Sequence, residues 1–124
     1  MPETLVILLG HGSRNHDGPG RSLEQLAAWA SEALGQPCLD AYLSLENPTL
    51  TERLEEAARS GAATAVVVPL LLAAGAHLRE DVVTLLNQGR LAFPDMQILQ
   101  AAHLGAAADL GQVVAARVKA VLPK

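Results

Sequence analysis

Four times along this chain a short apolar run rich in valine, isoleucine and leucine gives way to a longer segment with apolar residues at helical spacing. The runs fall at residues 4–9, 39–43, 64–70 and 97–101. Two of them, LVILL and AVVVPLL, are apolar on both faces, as strands are when a parallel sheet is covered above and below. The first helical stripe is Leu23, Leu26, Ala27, Ala30 and Leu34, with Ser22 placed to cap it and Gly35 to end it. A second helix is expected to take Asn47 as cap and Pro48 as first residue, to present Leu50, Leu54, Ala57 and Ala58, and to stop before Gly61. The third presents Leu78, Val82, Leu85 and Leu86 and is expected to stop near Gly89; the fourth presents Leu110, Val113, Val114, Val118 and Val121 and stops at Pro123.

The resulting order, βαβαβαβα, is that of an α/β protein. Crossovers between parallel strands are right-handed, so four such units predict one doubly wound, four-stranded parallel sheet with helices on both faces. A flavodoxin-like strand order, 2-1-3-4, is the expected arrangement, in a single domain spanning residues 1–124; that length suits one domain on the usual scale of ~100–200 residues. With 50% hydrophobic and 18% charged residues the chain is neither disordered nor a coiled coil.

Nine basic against 13 acidic residues give a net charge of −4, with no basic block, which argues against nucleic acid or an anionic membrane surface as main partner. The uncharged stretch of residues 61–76 is shorter than the ~20 residues a bilayer span needs. The opening MPETLVILLG lacks the basic region of a signal peptide, so a cytoplasmic location is expected. The single cysteine, Cys38, can form neither an internal disulfide nor a cysteine zinc site and reads as a small buried hydrophobe.

In open parallel sheets ligands bind beyond the carboxyl ends of the strands. After the first run comes Gly10-His11-Gly12-Ser13-Arg14-Asn15-His16, and after the second Ser44-Leu45-Glu46-Asn47-Pro48. The third is followed by Gly75-Ala76-His77-Leu78-Arg79 and the fourth by His103-Leu104-Gly105. Every histidine of the chain, and one carboxylate, therefore falls on one rim of the sheet. A lone histidine in such a loop is usually bonded to backbone, and Glu46 before a helix usually serves the helix dipole; it is the convergence that points to function. Imidazole and carboxylate bind divalent Fe, Co, Ni and Zn, and they also move protons near neutral pH.

Other chemistries lack their letters. No GxxxxGK[ST] phosphate loop is present, which excludes the usual route to NTP-driven work. GHGSR is not the GxSxG nucleophile elbow, and Gly10 stands where an Arg-His-Gly phosphohistidine motif would need arginine.

With GHGSR after the first strand, Glu46-Asn47-Pro48 after the second and PLLLAAGAHLRED at the third, the sequence resembles the small sirohydrochlorin chelatases, the CbiX/SirB type of class II chelatase. The resemblance covers almost the whole chain. Its most specific part joins GHGSR to Gly75, His77 and Asp81, spaced Gly-x-His-x-x-x-Asp. It implies insertion of a divalent metal, cobalt or ferrous iron and in some relatives nickel, into sirohydrochlorin, an eight-carboxylate precursor of cobalamin and sirohaem. It implies no ATP and no permanently bound cofactor, the metal being a substrate. The metal ligands of the family carry over onto His11 and His77, and its acidic residue onto Glu46. A chain of this length resembles the single-domain form, which implies a homodimer with active sites near the interface. His103 stands where the family commonly has proline, and Asp81-Val82-Val83 where it has Asp-Ile-Pro.

On this reading His11 and His77 hold the metal on one face of the ring and leave positions open to the incoming nitrogens. Either imidazole or Glu46 can receive a proton released by the pyrroles, and Glu46 is the expected proton acceptor or third ligand. Ser13, Arg14 and Arg79, beside the two histidines, are the expected contacts for the substrate carboxylates, and residues 71–74 an apolar wall or a subunit contact. The alternatives are a metallochaperone that needs the histidines but no ring pocket, and a tetrapyrrole carrier without turnover.

Overall fold

A computed structural model describes residues 3–12, 19–44, 46–70, 76–104 and 108–123; the side chains of residues 19–22 and 76–78 fall outside that description. The elements follow in the expected order: β1 (Thr4–Gly10), α1 (Pro19–Leu34), β2 (Cys38–Tyr42), α2 (Leu50–Arg59), β3 (Thr64–Pro69), α3 (Ala76–Ala92), β4 (Gln97–Gln100) and α4 (Asp109–Val121). The strands form one sheet in the order β2-β1-β3-β4, and every pairing is parallel.

Side-chain alternation sends successive strand residues to opposite layers. Ile7 and Leu9 of β1, Ala41 of β2, Ala65 and Val67 of β3 and Ile98 of β4 face α2 and α3, where Leu50, Leu54, Val82 and Leu86 complete the larger core. Val6 and Leu8 of β1 with Cys38 and Tyr42 of β2 face α1, through Leu23 and Ala27. The central strand β1 is buried on both faces, as its continuous apolar run requires.

Each of the four helices carries a local correction. Helix α2 is capped by Thr49, not Asn47: the Thr49 hydroxyl accepts from the Glu52 N–H at 3.2 Å and the Glu52 carboxylate accepts from the Thr49 N–H at 2.8 Å. That reciprocal pair satisfies two end-of-helix donors at once. Pro48 lies outside the helix, its carbonyl taken by the Tyr42 N–H at 3.1 Å. Ser22 lies inside α1, which opens at Pro19, a residue whose missing N–H costs nothing at a first helical position. Leu34, at the far end, is 51% exposed instead of packed, while Gly35 does end the helix with φ +67°.

The third helix runs through Gly89 to Ala92. Gly89 is there because space is short: a Cβ would come within 2.8 Å of the Leu54 side chain and 3.1 Å of the Ile98 side chain. The fourth correction is α4. None of its side chains is buried, and the stripe expected to face the core leaves Val113, Val114, Val118 and Val121 exposed.

Candidate functional site

The parallel ladder between β1 and β2 continues past the strands into the loops. The Leu43 N–H donates to the Gly10 carbonyl at 3.0 Å and the Ser44 N–H to the His11 carbonyl at 3.2 Å. His11 therefore leaves the sheet locked beside the segment that leads to Glu46. Both glycines of Gly10-His11-Gly12 sit where space is short. A Cβ on Gly10 would meet Leu23 of α1 at 2.7 Å, and Gly12, at φ +101°, has the Ser44 carbonyl where a Cβ would stand.

The His11 ring is exposed, its Nδ1 in a long 3.4 Å contact with the Gly12 carbonyl. With Nδ1 as donor, Nε2 keeps its lone pair for a metal, the usual arrangement of a ligating histidine. Glu46 lies beyond β2 and is 8% exposed, a strong protection for a carboxylate in a loop. On the other side of β1, the Leu70 N–H donates to the Leu9 carbonyl at 2.7 Å, so the end of β3 stays level with that of β1. Helix α3 follows it, with His77 the second helical residue. The carboxyl ends of three adjacent strands thus carry His11, Glu46 and the backbone of His77 to one rim.

His103, half-buried, follows β4 on the same rim, where the Leu104 N–H donates to the Pro69 carbonyl at 3.2 Å. Arg79 and Asp81, in the first turns of α3, are exposed. Ser13, Arg14, His16 and the apolar segment 71–74 lie outside the described residues, as does the side chain of His77. Among the described residues no three histidine, cysteine, aspartate or glutamate side chains gather into a metal site.

One polar cluster at this rim went unnoticed in the sequence. Asp40 of β2 takes the Tyr42 hydroxyl on Oδ2 at 2.9 Å and the Arg53 guanidinium on Oδ1 at 3.0 Å. Burial, the hydrogen bond to Asp40 and the charges of Asp40, Glu46 and Glu24 together push the Tyr42 phenol well above its ordinary pKa. The signal was legible: Asp40 is the lone charge in an otherwise apolar strand, CLDAY. Burial, and then the charge of Asp40, also push the Cys38 thiol up, so it stays protonated, as a packing residue should.

Comparison with known proteins follows the same outline. The family model CbiX matches residues 5–121. A sirohydrochlorin cobaltochelatase of Methanopyrus kandleri is 34% identical over 83 residues, covering 66% of this chain and 57% of the relative. Another, from Priestia megaterium, is 21% identical over 116 residues, covering 92% of this chain and 37% of the relative. The chain thus spans under two thirds of the length of these curated relatives. Among solved structures, a CbiX protein of Marinobacter aquaeolei described as a putative cobalamin biosynthesis protein superposes with TM-score 0.83 at 32% identity, over 94% of both chains. SirB from Bacillus subtilis with Fe3+ superposes with TM-score 0.76 at 25% identity, over 99% of this chain and 49% of that one. With its parallel 2-1-3-4 sheet, its glycine-flanked histidine after β1 and a family match that runs from β1 to α4, the chain belongs to the CbiX family.

Proposed function

We propose that the protein is a sirohydrochlorin chelatase that inserts Co2+ or Fe2+, and by the same ligand chemistry Ni2+, without ATP. The observation that carries this reading is the delivery of His11, Glu46 and the first turn of α3, with His77, to one rim by three adjacent parallel strands. The relatives named as sirohydrochlorin cobaltochelatases support the substrate, a flat ring fringed with carboxylates.

Metallation exchanges two pyrrole N–H protons for one divalent cation. His11 and His77 hold the cation and leave coordination positions open, which the ring nitrogens fill as water departs. Glu46 takes one released proton and passes it to solvent, and water takes the other. Ser13, Arg14 and Arg79 bind the peripheral carboxylates, Arg through paired N–H donors. No permanent cofactor is required. The product serves cobalamin or sirohaem synthesis in the cytoplasm; among the described residues no helix is long and apolar enough to cross a membrane.

Arg14→Ala/Arg79→Ala separates this reading from that of a metallochaperone. The double variant should keep metal affinity and lose sirohydrochlorin affinity and turnover; full retention of activity would contradict the proposed pocket.

The working form is a homodimer. Helix α4 has 13 residues, no side-chain hydrogen bond at its N-cap and four exposed valines. A helix of that length is marginal in water without packing. Among the described residues the α1 side of β3 and β4 is only partly covered, with Val66 and Val68 half-buried and Leu99 43% exposed. Helix α4 of a second copy laid on that face buries both surfaces. Light scattering should find a dimer that Val114→Lys/Val118→Lys turns into a monomer; a monomeric wild type would remove the proposal.

A further inference from the structure

The four strands carry one charged side chain, Asp40, and both its oxygens are engaged. Arg53, in the first turns of α2, reaches back across the β2–α2 loop to hold Oδ1 at 3.0 Å and the Asp40 main-chain carbonyl, through Nε, at 2.7 Å. Its remaining amino group meets Glu56 at the surface, at 2.9 Å. Tyr42, buried to 3% exposure at the end of β2, donates its hydroxyl to Oδ2. These side chains tie the strand just before the loop to the helix just after it. The backbone closes the same loop, the Tyr42 N–H donating to the Pro48 carbonyl. Glu46 lies inside it, and is buried.

A buried ion pair is weak support for stability, since apolar replacements of similar volume are often neutral or better. What it adds here is geometry, because the guanidinium binds both the main-chain and side-chain oxygens of one residue. The Tyr42 phenol keeps its proton, raised first by burial, then by the Asp40 hydrogen bond, with the charge of Glu46 among the lesser causes. The hydroxyl is thus a donor to Asp40 across the neutral pH range.

We infer that Arg53, Asp40 and Tyr42 form a clamp that sets the position of Glu46, as positioning residues for metallation. This rests on the proton-accepting role of Glu46 proposed above.

The test uses the full chain with Tyr42→Phe and Arg53→Met. Four quantities are read: kcat and KM for sirohydrochlorin with Co2+, thermal midpoint, and hydrogen exchange of the Leu43 and Ser44 amides, which bond to the Gly10 and His11 carbonyls. The expected result is kcat lower by about 10- to 100-fold, as for small misplacements of a reacting group, with KM unchanged and the midpoint held in at least one variant. Exchange at Leu43 and Ser44 should speed up. Adding Glu46→Gln to Tyr42→Phe should cost little further, because both act on one group.

Unchanged kcat and unchanged exchange would overturn the clamp, as would a kcat loss that only tracks the unfolded fraction. If the wild type itself does not metallate, the proposed function fails, and the exchange rates still decide whether the clamp orders the loop.

Discussion

Gly12 and Ser44 run so close that a Cβ on Gly12 would sit 1.8 Å from the Ser44 carbonyl oxygen. This approach lets the loop after β1, with His11, lie against the loop that holds Glu46. Gly12→Ala adds a methyl group where there is no room, at a φ of +101° that side chains avoid. We expect it to cost more than about 2 kcal/mol by chemical denaturation and to lower metallation at least about 100-fold in the folded fraction. Gly35→Ala, also at positive φ but with open space around it, should leave turnover intact.

The start of α2 provides a sharper test of local structure. Thr49→Ala removes the hydroxyl that accepts the Glu52 N–H and should cost about 1 kcal/mol. Asn47→Ala should cost far less, because Asn47 is exposed and is not the cap. Equal losses in paired urea melts would mean that the assigned cap is wrong.

The strand pattern was readable because β1, β2 and β3 carry apolar runs with buried residues, whereas β4 buries only Ile98. The order 2-1-3-4 is the flavodoxin-like one; crossover handedness and two strands apolar on both faces point to a doubly wound sheet but do not fix its order. The cap of α2 was misplaced because Asn47-Pro48 satisfies the usual signal as well as Thr49-x-x-Glu52 does, and only the hydrogen bonds separate them. Gly89 reads as a stop in one dimension and proves to be a contact point in three. Helix α4 shows the limit of periodicity: Val113, Val114, Val118 and Val121 mark an apolar face, but periodicity does not say what covers it.

At the site, the positions of His11, His103 and Glu46 beyond strand ends were legible from the order of the elements, while His16 and the side chain of His77 lie outside the described residues. The partnership of Asp40 with Arg53 was not, since 13 residues separate them and only the β2–α2 packing brings them together.

Alkaline pH should expose the buried phenol. The Tyr42 pKa is raised on folding, so the native state holds its proton more tightly than the unfolded chain. The stability this contributes is fully present below the unfolded value of about 10 and declines as pH rises beyond it. The Cys38 thiol, raised for the same first reason, acts in the same direction from somewhat lower pH. Denaturation free energy should therefore fall with pH above about 10, and Tyr42→Phe should flatten the fall. The chain has one tyrosine, so its tyrosinate absorbance reports on this group alone. In the native protein that band should emerge well above the pH at which it appears in urea.

The most direct test is the anaerobic absorbance of sirohydrochlorin mixed with Co2+ or Fe2+ at low metal concentration. Initial rates are compared for no protein, wild type and His11→Ala/His77→Ala. Faster conversion to the metallated spectrum with wild type, and a double variant that matches the blank, is the predicted result, and the ratio of rates for the two cations then identifies the preferred metal. Three coincident traces from a protein that still binds the metal would contradict the chelatase reading and leave a metal-binding module in its place.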